Sequence, residues 1–335
     1  MSMSQTVIEF LSERARKNPK RVALPECEAE KTLLAARYVL DSGIGYPVLV
    51  NDPEIIKETA AKAGVSLDGM EVIDVGVESA KDTLVEKYMA MEERDMSASG
   101  YKRKLQNPLF YAMMLVAVGD VDCIFCGHTN TTGDVLISAL KTIGLQDGVD
   151  VASIYALVEI PGFNGPEGDR IVFADCGLTP EPIAPKLASI AIAAADNVGK
   201  QMGWEPRVAF LSFSTDGSGK GESVDKVREA LELVKQRRPD IKADGEFQLD
   251  VAIDPDTAAL KVKRPSEVAG RANILIFPDL NAANIGIKLI QFMAGGAGYG
   301  HTISGLRRPV ADSSRVATVE EMVGDIAMVI LSASE

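Results

Sequence analysis

Several things are scarce in these 335 residues. There are two histidines, His128 and His301, and four cysteines, too few cysteines for a disulfide scaffold. Neither histidine has a cysteine or carboxylate at ligand spacing, so no metal site is expected; His128, in a polar loop, is read as satisfying backbone groups. Cys123 and Cys126 spell C-x-x-C, but the surrounding VDCIFCG reads as a buried strand, where positions three apart face opposite sides. A redox motif would instead open a helix. No apolar run approaches the roughly 18 residues of a membrane span. The charged amphipathic stretch from Thr6 to Lys17 has no apolar segment of the kind a secretion signal needs. The expectations are a cytoplasmic location and no membrane partner. Basic surface is scarce too: the net charge of −13 argues against nucleic acid. A small anion remains admissible, because a few arginines in a cleft can oppose the overall field.

What is present is a globular composition, 46% hydrophobic and 25% charged, in a chain long enough for two domains. Strand-like and helix-like patterns alternate. Thr6 and Glu9 form a capping box before a first helix, and Asp52-Pro53 is an N-cap followed by proline at the first helical position. Residues 92–104 read as a loop, 108–118 as an apolar helix and 121–126 as a central strand. Two further strands, 149–160 and 170–175, are spaced as a hairpin, and the pattern changes near residues 145–150. After the helix 184–202 and the strand 207–211 come a polar loop and a helix over 223–236. Residues 247–253 are expected to be extended, 273–277 a strand, and 318–332 a closing helix. Such alternation predicts an α/β fold of two domains with mostly parallel sheets.

Four polar stretches follow expected strand ends: Gly127–Asp134, Ser212–Gly221, Pro278–Asn284 and Gly305–Arg315. In open α/β sheets ligands bind outside the carboxyl ends of strands, so these loops are the places to look for a site. Ser212, Ser214, Thr215 and Ser218, set among glycines, offer hydroxyls and backbone N–H groups suited to phosphate oxygens. The loop is not a Walker A motif, since Lys220 is followed by Gly221; the plainer reading is a solvated loop with a helix cap. Asn281 and Asn284 sit near a helix start, ahead of a loop rich in glycine (Gly295, Gly296, Gly298, Gly300). Thr318 and Glu321 fit a capping box, and Glu321 equally suits a base one turn into the helix.

The segments LPE (Leu24–Glu26), NPLFYAMM (Asn107–Met114), Gly127–Asp134, SFSTDGSGKG (Ser212–Gly221), DGEFQLD (Asp244–Asp250), FPDLNAANI (Phe277–Ile285) and RRPVADSSR (Arg307–Arg315) occur in this order. Together they resemble the phosphate acetyltransferase family. The resemblance implies an architecture similar to isocitrate and isopropylmalate dehydrogenases, with domains over 1–148 plus 303–335 and over 149–302. It implies a homodimer, a cleft between domains and a role in acetate metabolism. The reaction would be reversible acetyl transfer between coenzyme A and phosphate, coenzyme A being substrate and no cofactor tightly held. By the same resemblance Ser314, Arg315 and Glu321 would be catalytic. Ser212, Ser214, Thr215, Asn281, Asn284, Thr131 and Thr132 would bind substrate. The chain departs from the family where Ile137 replaces a usual arginine, Glu321 an aspartate, Ala311 an asparagine and His301 a proline. Arg103, with Lys104 beside it, and Lys220 are then the expected cations for coenzyme A. The alternatives are a family member using butyryl or propionyl groups, a non-catalytic acetyl-CoA-binding module, and a metal-dependent dehydrogenase of the same architecture. The last lacks suitably spaced aspartates.

Overall fold

Short apolar strands alternate with amphipathic helices from Thr6 onward. A computed structural model describes residues 6–91 and 95–334. The chain separates into one unit of Met1–Gly144, Gly300–Thr302 and Leu306–Glu335 and a second of Leu145–Tyr299 and Ile303–Gly305.

The first unit opens with α1 (Val7–Ala15), whose capping box has both hydrogen bonds, Thr6 N–H to Glu9 at 3.0 Å and Glu9 N–H to Thr6 at 3.2 Å. There follow β1 (Arg21–Leu24), α2 (Glu30–Asp41), β2 (Tyr46–Asn51), α3 (Pro53–Ala63), β3 (Glu71–Asp74) and α4 (Glu78–Met89). Asp52 caps α3 through the Glu54 N–H, and Gly64 ends it in the left-handed region, where glycine carries no Cβ penalty. Residues expected to form a loop instead include α5 (Ala98–Lys104); Glu92–Arg94 lie outside the described residues. Ser97 caps α5 and Tyr101 anchors it, edge-on to Tyr88 with ring centroids 5.0 Å apart. With one buried residue in seven, its periodicity is too weak to detect in sequence. Then come α6 (Pro108–Ala117), buried from Leu109 onward, β4 (Cys123–Cys126) and α7 (Thr132–Thr142). Cys123 and Cys126 are both buried and free, as a strand reading of the C-x-x-C requires.

The second unit begins with β5 (Ser153–Glu159) and β6 (Arg170–Ala174), an antiparallel pair. It continues through α8 (Ala184–Met202), β7 (Arg207–Leu211), α9 (Glu222–Arg237), β8 (Lys242–Phe247), α10 (Leu249–Ile253), α11 (Pro255–Lys261), β9 (Ile274–Ile276) and α12 (Leu280–Met293). The stretch 247–253 is thus not extended throughout. Phe247 closes a strand, and Val251 and Ala252 are buried on a short helix. The strands run in the order β5-β6-β9-β7-β8, and the pairs β6–β9, β7–β9 and β7–β8 are parallel.

The glycine-rich stretch after α12 is not all loop either, since β10 spans Ala297–Ser304. Gly300 has φ +82°, and a Cβ there would overlap Met328, so close packing rather than flexibility accounts for this glycine. The chain then forms β11 (Val310–Asp312) and α13 (Val319–Ser332). In the first unit the order β3-β2-β1-β4-β11 is parallel throughout. Helix α13 is buried from Met322 to Leu331 and packs on α1 and α2, so the C-terminal segment completes the first unit's core. Among the described residues, no helix is long and apolar enough to cross a membrane, and no cluster of His, Cys, Asp and Glu suits a metal.

Candidate active site

In the first unit, strand β1 runs out into Pro25 and Glu26. The Glu26 side chain is 2% exposed and lies under the turn that follows β4. Its carboxylate accepts the N–H groups of Gly127 (3.0 Å), His128 (2.8 Å), Thr129 (3.1 Å) and Asn130 (2.8 Å), and the Asn130 amide at 2.7 Å. One buried acid therefore shapes the whole turn, and its charge is met by donors. Gly127 stands at φ +90°, and a Cβ there would overlap the Asp312 carboxylate. Thr131 then caps α7, accepting from Asp134 N–H at 3.2 Å and donating to the Asp134 side chain at 2.7 Å.

Parallel pairing of β11 with β4 sets Asp312 beside Cys126. The next residue, Ser313, donates its N–H to the Cys126 carbonyl at 2.7 Å, and the chain turns so that Ala317 N–H reaches the Ser314 carbonyl at 3.0 Å. Lys31 donates to the Ala317 carbonyl at 2.8 Å, and His128 Nδ1 lies 3.4 Å from the Ser314 carbonyl. The turn after β4 and the Ser314 segment are therefore neighbours. Arg315 is exposed and makes no hydrogen bond or ion pair among the described residues. Glu321 completes a capping box on α13: Thr318 N–H donates to it at 2.7 Å and its own N–H reaches the Thr318 hydroxyl at 3.2 Å. Its carboxylate is engaged by the helix end on one side.

Asp312 is 4% exposed, and its Oδ1 has no hydrogen-bond partner. Burial, with the charges of Glu26 and Asp325 beside it, raises its pKa to about 6, and the nearby Thr132 hydroxyl and His301 oppose the rise. His301 Nδ1 is 3.9 Å from Asp325 Oδ2, an ion-pair distance too long for a direct hydrogen bond. Burial lowers the imidazole's pKa, but Asp325, Asp312 and Glu321 together outweigh it and the net shift is upward.

A cavity of about 500 Å³ in the same unit is lined by Arg103, Lys104, Asn107, Phe110, Asn130 and Ile137, among others. The two cations thus share one hollow with the isoleucine. Lys104 lies over the Phe110 ring, 5.9 Å from its centroid.

The second unit repeats the device seen at Glu26. Glu246, 3% exposed at the end of β8, sits beneath the loop that follows β7. It accepts the Ser214 hydroxyl at 2.6 Å, Gly217 N–H at 3.0 Å and two bonds from Arg228 at 2.9 Å. Burial raises its pKa, but Arg228, Ser214 and Gly217 together bring it down to about 2. Ser214 is fully buried and also accepts Gly219 N–H at 2.8 Å, while the Thr215 hydroxyl accepts Gln248 N–H at 2.9 Å. Ser214 N–H goes to Ser212 at 3.2 Å and Thr215 N–H to Ser218 at 3.0 Å. The backbone amides expected to face a phosphate are therefore largely engaged within the loop, and this corrects the reading of the loop as an amide cradle. Ser212 and Lys220 remain at its open side, half-buried and exposed respectively. Asp279 caps α12 through Ala282 N–H at 2.9 Å, leaving Asn281 exposed and Asn284 half-buried in the first turn.

Sequence reasoning assigned no role to Glu26, Glu246, Arg228 or Asp312. The available signal was a glutamate close to the carboxyl end of a strand, two residues past β1 in LPE and one before the end of β8 in GEF.

The fold is shared with 4-hydroxythreonine-4-phosphate dehydrogenase from Klebsiella pneumoniae, at TM-score 0.53 and 15% identity over 94% of this chain and 99% of that one, a likeness of fold alone. It is far nearer to the EutD phosphotransacetylase from Staphylococcus aureus, with TM-score 0.89 and 30% identity over 98% of both chains. A phosphate acetyltransferase from Clostridium acetobutylicum is 38% identical over 328 residues, 98% of each chain. The protein is thus an acyltransferase on an α/β scaffold. Residues 6–330 match the family model described as "Phosphate acetyl/butaryl transferase", and the chain belongs to that family.

Proposed function

We propose that the protein catalyses reversible transfer of an acetyl group between coenzyme A and inorganic phosphate. In one direction the thiolate sulfur attacks the acetyl carbon of acetyl phosphate, the bond from that carbon to the bridging oxygen breaks, and phosphate leaves with the electron pair. The thiol proton passes to a carboxylate, for which Glu321 is the assignment. The observation that carries the reading is Arg315, an exposed guanidinium without a partner among the described residues, beside Ser314. An unengaged arginine is free to neutralise phosphoryl oxygens, and the Ser314 hydroxyl to hydrogen-bond the tetrahedral centre. Thr131 and Thr132 open the adjacent helix N-terminus, a favourable place for anionic oxygens.

Arg103 is assigned to the anionic end of coenzyme A, supported by its place with Lys104 in the hollow around Ile137. In the second unit Ser212, Asn281 and Asn284 are the substrate-binding assignments and Lys220 the coenzyme A cation, supported by their exposed or half-buried places at the loop and the start of α12. Ser214 and Thr215, hydrogen-bonded inside the loop, act by holding it in shape. A homodimer is proposed through α12, on which Ile285, Leu289, Phe292 and Met293 are 58%, 51%, 86% and 79% exposed; so continuous an apolar stripe calls for a covering partner.

The test is release of free thiol from acetyl-CoA on adding phosphate, with the reverse reaction run on acetyl, propionyl and butyryl phosphate. Acetyl should be the fastest donor, and Arg315→Ala should lower turnover by about 10²–10³. Absence of thiol release, or an unaffected Arg315→Ala enzyme, would overturn the assignment.

A further inference from the structure

Ser314 and Arg315 need a fixed aim if both are to meet one reacting group. In the first unit Ser313 and Ala317 are buried, while Arg315 and Val316 between them are exposed. The segment is therefore a turn with fixed ends and an open summit. Ser313 N–H is tied to the Cys126 carbonyl at 2.7 Å, and Ala317 N–H closes back on the Ser314 carbonyl at 3.0 Å. Val316 N–H reaches Ser314 Oγ at 3.4 Å, which leaves the hydroxyl proton free to donate.

Two side chains from other elements grip this turn. Lys31, in the first turn of α2, donates its ammonium to the Ala317 carbonyl at 2.8 Å. Ala317 precedes Thr318, the N-cap of α13, so its carbonyl has no place in the helical ladder and needs an outside donor. A cation so near a helix N-terminus is opposed by the dipole of α2, and among the described residues Lys31 has no carboxylate at ion-pair distance. Neither helix stability nor ion pairing explains a lysine there; the carbonyl does. His128 stands in the turn held over Glu26, which accepts its N–H at 2.8 Å. Its Nδ1 lies 3.4 Å from the Ser314 carbonyl. A carbonyl only accepts, so this contact puts a ring proton on Nδ1. The Ser314 carbonyl thus takes two donors, one for each lone pair.

We propose that Lys31 and His128 are positioning residues for the transfer, pinning the turn from which Ser314 and Arg315 act. Lys31 fixes the Ala317 end and His128 the Ser314 end, and both work on main-chain carbonyls rather than on substrate. Through His128 the ring of donors around Glu26 is extended to the catalytic segment. Misplacing a catalytic group by about 1 Å can cost about 10²-fold in rate, so two hydrogen bonds to the main chain are enough to matter. The inference rests on the acyl-transfer reading for its kinetic consequence, whereas the pinning itself assumes nothing about substrate.

Both parts can be measured on the intact chain. Lys31→Met keeps the apolar stem and removes the donor, whereas Lys31→Arg keeps a donor. With acetyl phosphate and coenzyme A, Lys31→Met should lower kcat about tenfold at an unchanged KM for coenzyme A, and Lys31→Arg should restore most of it. His128→Ala should lose about threefold to tenfold, and His128→Asn, whose amide stands near the place of Nδ1, should recover part of that. In an Arg315→Ala background the Lys31→Met effect should shrink to about twofold, since little remains to be aimed. Hydrogen–deuterium exchange gives a readout without turnover. Amides over 313–318 should exchange faster in Lys31→Met and His128→Ala, with the buried part of α13, Met322 to Leu331, unchanged. A raised KM for coenzyme A at unchanged kcat would make Lys31 a ligand of the substrate and overturn the proposal. So would equal losses with and without Arg315, unaltered exchange over 313–318, or exchange that rises through α13 as well. If the wild type turns over no acyl phosphate, the acyl-transfer reading fails, and exchange alone decides whether the turn is pinned.

Discussion

Asp312→Asn should make the protein more stable, and by an amount that depends on pH. The buried carboxyl has its pKa raised from 3.8 to about 6, so the folded state binds its proton more tightly than the unfolded chain does. A raised folded value means that the stabilisation is complete below about pH 4 and is lost as pH rises through about 6. A difference of about two units corresponds to about 3 kcal/mol at pH 8. Asparagine has nearly the shape of the protonated acid and cannot ionise, so it escapes this loss. Thermal unfolding of wild type and variant should give matching midpoints at pH 4 and a gap on the order of 5 °C at pH 8 in favour of the variant. A gap that stays constant across that range, or a variant that melts lower at pH 8, would refute the reasoning.

Four further substitutions test the two loop anchors, the turn over Glu26 and the cap of α13. Glu26→Gln presents an amide to backbone donors that now meet a carboxylate, and should destabilise the first unit by about 3 kcal/mol, read by chemical denaturation. Glu246→Gln should have a comparable effect through Arg228, about 3 kcal/mol at neutral pH. Because the Glu246 pKa is lowered to about 2, its contribution is present above the unfolded value near 4.5 and fades as pH falls toward 2, so the two proteins should converge in acid. Gly127→Ala forces a side chain into a positive-φ position already occupied by Asp312, and should lower stability by at least about 2 kcal/mol with loss of turnover. Glu321→Gln separates two roles: an unchanged rate at neutral pH would return Glu321 to capping α13, whereas a large fall with an intact melting temperature would support a base.

The parts of the fold with strong periodicity were readable before any coordinates. The capping box of α1, the proline-led start of α3, the apolar α6 and the β5–β6 hairpin are set by local chemistry, and such signals survive without tertiary context. Helix α5 and the turn into α10 were not, because each rests on one or two buried residues whose partners lie far along the chain, Tyr88 for Tyr101 and Thr215 for Gln248. The same holds in the candidate site. Arg315, Ser314 and the hydroxyl-rich loops stand out by residue type. Glu26 and Glu246 look like ordinary surface acids until the sheet brings a loop about 30 or 100 residues distant over each of them. Periodicity carries no information about which donors will face a carboxylate.

The two glutamates beneath the loops have a bearing on how a substrate would arrive. A turn whose amides close around a phosphate is completed by its guest and is disordered without it. Here the template is built in, since an internal carboxylate occupies the place that a bound anion takes in such turns. The mould is already set when the guest is absent, so docking forfeits little backbone freedom, and the contacts left for discrimination are the side chains along its rim.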